Sequence, residues 1–302
     1  MDLGKILTYI EPDEDSQNVV ERTAWLAGTF GASVELFTCR YDKYLESEAA
    51  RSSVLEADRS RLEELAEPLA AAGIAISADA VWARGIDDAI LSKVEDTQPG
   101  LVVKATRYHS LLRRAIFSSE DWNLIVKCPP PLLLVRDRRV SATPTIMAAV
   151  DPMHDHDKPA NLDRRILTLA RRLRELAQAT IRPVHVVDTM APLVASAGLV
   201  EPPMSPVAAA AVSESPADRR EALLGAARQA FERLLAEESL DVNQARLLEG
   251  DVANELVRFA SDSGADMVIM GAVSRGLIDS ALIGHTARRV LDAIDCDLLV
   301  VK

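Results

Sequence analysis

The sequence predicts an α/β protein of two tandem domains, each a parallel sheet flanked by helices on both faces. Two observations carry that expectation. Short β-branched runs alternate with longer amphipathic runs along the chain. The strand-like runs are apolar throughout, as strands of a parallel sheet covered on both sides must be. The second observation is a repeat. Leu101-Val-Val-Lys-Ala105 lies over Met267-Val-Ile-Met-Gly271, and Pro131-Leu-Leu-Leu-Val-Arg136 over Asp297-Leu-Leu-Val-Val-Lys302, both pairs 166 residues apart without a gap. Two stretches in one register argue for duplication.

The elements follow in order. In the first domain, residues 1–138, the runs 6–10, 34–37, 76–82, 101–104 and 132–135 read as strands, and 18–30, 53–72, 87–96 and 122–127 as helices. Arg136 to Pro144, charged and punctuated by proline, reads as the linker. The second domain, residues 144–302, repeats the pattern with strands near 146–150, 183–187, 244–248, 267–270 and 298–301. Its start, Thr145-Ile-Met-Ala-Ala-Val-Asp-Pro152, mirrors Lys5-Ile-Leu-Thr-Tyr-Ile-Glu-Pro12. Residues 189–216 break the symmetry. They carry Pro192, Pro202, Pro203, Pro206 and Pro216 among Ala and Ser. Such a segment buries little and reads as a long mobile insertion, with a lid over a pocket at the strand's C-terminal end the weaker reading. The strands 132–135 and 298–301 are apolar edges that would invite aggregation if left open. Pairing them predicts an intramolecular pseudo-dimer of two sheets rather than one continuous sheet.

Composition narrows the function classes. With 34 basic against 46 acidic residues the formal charge is −12, which disfavours nucleic acid or an anionic membrane as a general partner. No apolar run approaches the ~20 residues that span a bilayer, and the start lacks a signal-peptide pattern. Cys39, Cys128 and Cys296 are scattered, which fits a reducing cytoplasm, and Cys128, before an apolar strand, reads as a buried structural thiol.

The candidate ligand site lies in residues 267–302. A buried strand runs into a loop holding Gly271, Ser274, Gly276 and Gly284, then into a helix opening near Thr286. Backbone N–H groups and the helix dipole converge on phosphate in such a place. The equivalent stretch of the first domain, Lys104 to His109, has no glycine. Its Lys104, Arg107, Arg113 and Arg114 read as a solvated basic face, with an anion site the weaker reading.

With these residues in view, the chain resembles the universal stress proteins, and more closely their tandem-domain, UspE-like members. The family's G-x2-G-x9-G-[ST] pattern is matched in spacing by Gly271-x2-Ser274-x9-Gly284, with His285 placed before Thr286. The resemblance implies five parallel strands per domain in order 3-2-1-4-5. It implies a nucleotide across the C-terminal ends of strands one and four, where open α/β sheets bind ligands. It places Asp151 near the adenosine, Gly271 where backbone must approach, and Gly284, His285 and Thr286 at the phosphates. ATP or another adenine nucleotide is thus the ligand implied, in the second domain only.

Other constellations carry less. His154-Asp155-His156-Asp157 reads as a loop rather than a metal site, and no metal is expected. His185, between valines, reads as a core or ligand-lining residue. No catalytic residue is evident: neither loop carries a Walker lysine, a magnesium pair or a general base. The expectation is a non-enzymatic stress-response protein that binds or senses a small ligand. Two alternatives stay open, a structural interaction protein with vestigial pockets and a slow nucleotide hydrolase. A homodimer is compatible with the sequence, which does not give its geometry.

Overall fold

A computed structural model describes residues 3–106, 108–109, 114–115, 118–153, 161–189, 215–271 and 285–302. The first half runs β1 (Lys5–Tyr9), α1 (Gln17–Phe30), β2 (Ser33–Arg40), α2 (Glu48–Ala71), β3 (Ile76–Trp82), α3 (Ile86–Thr97) and β4 (Leu101–Ala105). A short hairpin of β5 (Tyr108–His109) and β6 (Arg114–Ala115) follows, then α4 (Ser119–Lys127) and β7 (Leu132–Val135). The second half runs β8 (Thr145–Ala149), α5 (Leu162–Ala177), β9 (Thr180–Val187), α6 (Pro216–Glu237), β10 (Arg246–Glu249), α7 (Val252–Asp262), β11 (Met267–Gly271), α8 (His285–Ala293) and β12 (Asp297–Val301). The sequence placed the start of α2 at residue 53. It begins at Glu48 because the Ser47 hydroxyl accepts from the Ala50 N–H and caps the first turn.

The strand order is β10-β9-β8-β11-β12-β7-β4-β1-β2-β3. Each half therefore holds five parallel strands in order 3-2-1-4-5, as the resemblance implied. The two terminal strands pair antiparallel, with Leu298 opposite Leu134, Leu299 opposite Leu133 and Val300 opposite Leu132. The expected pairing is there, but the expected separation into two sheets is not. Backbone hydrogen bonds between edge strands necessarily fuse the sheets into one of ten strands. Because both halves keep the same order, the fused sheet still shows a duplication.

Side chains alternate across the sheet and build one core on each face. Leu26, Leu62, Leu69, Ile166, Leu173 and Phe231 pack on one face, from α1, α2, α5 and α6. Ile90, Leu124, Ile125, Leu256, Val290 and Leu291 pack on the other, from α3, α4, α7 and α8. Helix α5 shows why it seats there: Leu162, Ile166, Leu169, Ala170 and Leu173 recur at helical spacing and all are buried. All three cysteines are buried free thiols, and burial pushes Cys128 up to about 11 and Cys296 up to about 12.

Two features stitch the halves together. The Arg22 Nε of α1 donates to the Asp297 Oδ2 of β12 at 2.6 Å, and the Arg136 N–H donates to Asp297 Oδ1 at 2.8 Å. Arg136 thus starts the linker as a buried residue, not an exposed one. The second feature is reciprocal. Arg136, just after β7, donates through Nη2 to the Leu291 carbonyl in the last turn of α8, at 3.2 Å. Lys302, just after β12, donates through Nζ to the Val126 carbonyl in the last turn of α4, at 2.8 Å, and to the Cys128 carbonyl. Each half closes the other's helix C-terminus with a cation, the favourable charge for that end of the dipole.

The Lys302 contact predicts a pH effect. Burial pulls its ammonium down to about 8 from an ordinary 10.5. Between those values the unfolded chain binds more protons than the folded one, so the stability contributed here rises with pH across the window. Urea unfolding of wild type and Lys302→Met should show wild type gaining on the order of 1 kcal/mol relative to the variant from about pH 8 to about pH 10.

Candidate functional site

Ligands of open α/β sheets bind beyond the strands' C-terminal ends at the point where the strand order reverses. Here those points lie between β1 and β4 in the first half and between β8 and β11 in the second.

In the first half the place is filled by the chain's own side chains. Lys104, fourth residue of β4, is only 1% exposed. Its Nζ stands 2.9 Å from Asp121 Oδ1 of α4 and 3.4 Å from Glu11 Oε1, donates to the Ala105 carbonyl, and lies over the Tyr9 ring. Tyr9 is fully buried. Asp121 also closes a capping box with Ser118 at the start of α4. The loop after β1 is held from outside as well. Arg40 bonds Asp13 and Asp58, and Arg61 donates to the Glu11 and Glu14 carbonyls. The Arg40 guanidinium keeps the Asp13 carboxyl below its ordinary range. This corrects the reading of Lys104 as part of a solvated basic face: it is a buried cation neutralised by two carboxylates. Arg107 and Arg113 lie outside the described residues.

The second half replaces every member of that cluster. Strand register sets Lys104 opposite Tyr9, and sets Ile269 opposite Ala148, which brings Met270 beside Ala149. Tyr9, Lys104, Glu11 and Asp121 thus correspond to Ala149, Met270, Asp151 and Ala287. A ring and a cation give way to a methyl and a thioether, and the carboxylate on α4 has no counterpart on α8. Asp151 keeps its carboxylate, its side chain 35% exposed.

The backbone around Asp151 is held from below. Its N–H donates to Asp163 Oδ1 at 3.2 Å. His185 of β9 is buried, with Nδ1 at 3.1 Å from the Val150 carbonyl and 4.0 Å from Asp151 Oδ1, and its ring packs near Phe231 of α6. In the first half Thr38 donates to the equivalent Ile10 carbonyl at 2.7 Å. His185 is therefore a core residue that also lines the loop carrying Asp151.

At Gly271 the close approach visible in the structure is a helix. A Cβ there would stand 2.6 Å from Leu162 Cδ2 of α5, so any larger residue would force the Leu162 side chain to shift irrespective of any ligand. Ser274, Gly284 and His154 to Asp157 lie outside the described residues. His285 and Thr286 open α8, close to where the sequence set the helix start. Of the insertion 189–216, residues 190–214 are also outside, but both flanks meet at one carboxylate. Thr189 Oγ1 donates to Glu249 Oε1 at 2.9 Å, and Arg220 of α6 forms a bidentate pair with Glu249. Pro216, counted in the insertion from sequence, is instead in the first turn of α6, capped by Ser215. Among the described residues no group of His, Cys, Asp and Glu is arranged to hold a metal. Among the described residues no helix is long and apolar enough to cross a membrane.

The universal stress protein family model matches residues 3–136 and again 144–302. The chain belongs to the universal stress protein family. It is 26% identical to universal stress protein E of Escherichia coli K12, over 98% of this chain and 93% of that protein. It is also 26% identical to the universal stress protein E homolog of Haemophilus influenzae, over 100% and 98%. Among solved structures, a universal stress protein of Pseudomonas aeruginosa superposes with a TM-score of 0.76 at 24% identity, covering 99% of this chain and 93% of that one. One from Archaeoglobus fulgidus gives 0.71 at 14% identity over 100% and 99%. Full-length coverage by universal stress proteins agrees with the paired five-stranded halves.

The sequence missed the Lys104–Glu11–Asp121 cluster. A lysine ending the apolar run Leu101-Val-Val was the available signal, and it pointed to burial as much as to a basic face.

Proposed function

We propose that this universal stress protein binds a small phosphorylated ligand at the switch point of its second half and not at that of its first, without chemical turnover, an adenine nucleotide being the first candidate. One observation carries the reading. The switch point of the first half is occupied by Tyr9 and a neutralised Lys104, whereas Ala149, Met270 and Asp151 stand at the same place in the second. The Gly271-x2-Ser274-x9-Gly284 spacing follows that β-strand and leads into α8, whose N-terminus favours an anion. The first-half switch point then serves as scaffold, which is the place for the structural alternative.

Titration calorimetry with ATP on wild type, Gly284→Asp and Ser274→Gly tests this. Wild type should bind, Gly284→Asp should lose the switch-point site by setting a carboxylate against the phosphates, and Ser274→Gly should fill that site more tightly. Steady-state hydrolysis should stay below about one turnover per second, the low end of ordinary enzymes. Faster hydrolysis that Gly284→Asp abolishes would make the protein a hydrolase. ATP bound by Gly284→Asp with the stoichiometry and affinity of wild type would place the site elsewhere.

A further inference from the structure

Aromatic residues make up only 4% of this chain, yet three gather at the C-terminal ends of β2 and β3 in the first half. Tyr41 follows β2 directly, Trp82 ends β3, and their rings lie 6.1 Å apart. Tyr44, in the turn before α2, is 80% exposed and Tyr41 is 40% exposed, the most exposed aromatic rings among the described residues. Each ring carries a cation: Arg84 over Tyr41 at 4.9 Å, Arg51 over Trp82 at 5.3 Å and Lys43 over Tyr44 at 4.8 Å.

In a chain with a formal charge of −12, several arginines elsewhere on the fold pair with carboxylates, among them Arg22, Arg40, Arg164, Arg220, Arg258 and Arg289. Among the described residues Lys43, Arg51 and Arg84 have none. Arg51 Nε donates to the Leu45 carbonyl and Arg84 Nη2 to the Tyr41 hydroxyl, contacts that orient each guanidinium and leave its charge unneutralised. The adjacent Asp42 instead accepts from the Tyr44 N–H and shapes the turn.

We infer that this cluster is a second ligand site, a platform for an unpaired nucleotide whose base stacks on Tyr44 and Trp82 and whose phosphate takes the charge of Lys43, Arg51 and Arg84. Tyrosine rings open to water beside Trp82 match a planar base, and cations without carboxylates match the anion joined to it. An acidic peptide would satisfy the cations but leave the rings in water. Inorganic phosphate would do the same. The platform lies beyond the ends of β2 and β3, in the half that has filled its switch point, so it is independent of the nucleotide site proposed for the second half.

Intrinsic fluorescence of the full chain reports on Trp82, with Trp82→Phe identifying its share. The probes are adenosine monophosphate, a single-stranded oligonucleotide of about eight residues, inorganic phosphate and polyglutamate. Either base-bearing probe should quench Trp82. Tyr44→Ser, at a position open enough to leave the fold intact, should weaken binding about tenfold. Lys43→Glu should weaken it similarly and flatten its salt dependence. Gly284→Asp should leave it unchanged, which separates this platform from the second-half site. An oligonucleotide binding much tighter than the monophosphate identifies a strand as the ligand, and equal affinities identify the free nucleotide. The inference falls if no base-bearing probe quenches Trp82, or if phosphate or polyglutamate binds as tightly as they do. It also falls if Tyr44→Ser and Lys43→Glu both leave binding unaltered.

Discussion

Lys104→Ala should destabilise the protein by about 3–5 kcal/mol, the cost of removing one partner from a buried ionic cluster. The ammonium is the shared counter-charge of Asp121 at 2.9 Å and Glu11 at 3.4 Å, and all three groups are buried. Without it two carboxylates face each other in a low-dielectric interior with nothing to offset their desolvation. Urea unfolding followed by circular dichroism measures the loss. The triple variant Lys104→Met, Glu11→Gln, Asp121→Asn should recover more than half of it, since a buried cluster replaced whole by neutral groups costs far less than one broken. If Lys104→Ala cost under about 1 kcal/mol, the range of an exposed ion pair, the cluster would be open to water and the filled state of the first-half crevice would be in error.

Asp297→Ala should cost a similar amount at the junction between the halves. Its carboxylate is fully buried and accepts from the Arg22 side chain and the Arg136 backbone N–H. Truncation strands a buried guanidinium and a buried N–H together. Asp297→Asn should be milder, keeping an acceptor for the N–H. Burial pushes the Asp297 carboxyl above its ordinary value of 3.8, with the Arg22 charge pulling the other way. A raised carboxyl holds its proton longer in the folded state than in the unfolded. Its contribution is therefore fully present below 3.8 and declines as pH rises through the folded value. Relative to Asp297→Asn, wild type should lose stability as pH rises from about 4. An opposite slope would mean that Arg22, not burial, controls this group.

The sequence by itself determined the repeating architecture, and particular residues show how. Apolar runs such as Leu101-Val-Val and Leu132-Leu-Leu-Val135 cannot stay in water on either face, so each had to become an interior strand. The 166-residue offset then required the second half to repeat the first. Even the pairing of 132–135 with 298–301 was legible, because two bare apolar edges in one molecule have each other as the nearest cover. What escaped was every feature that depends on which side chains meet across elements. Lys104 is a surface residue by type, and only α4 bringing Asp121 to one side and the β1 loop bringing Glu11 to the other makes it a core residue. Gly271 fits a phosphate-loop pattern, but its spacing says nothing of Leu162, which lies 109 residues earlier and needs the space a Cβ would fill. Tyr41, Tyr44, Trp82 and Arg84 are separated by up to 43 residues and become one platform only because β2 and β3 run parallel and end together. Periodicity records how each segment partitions between water and core. Neutralisation, close approach and stacking arise between segments, and only the tertiary structure decides them.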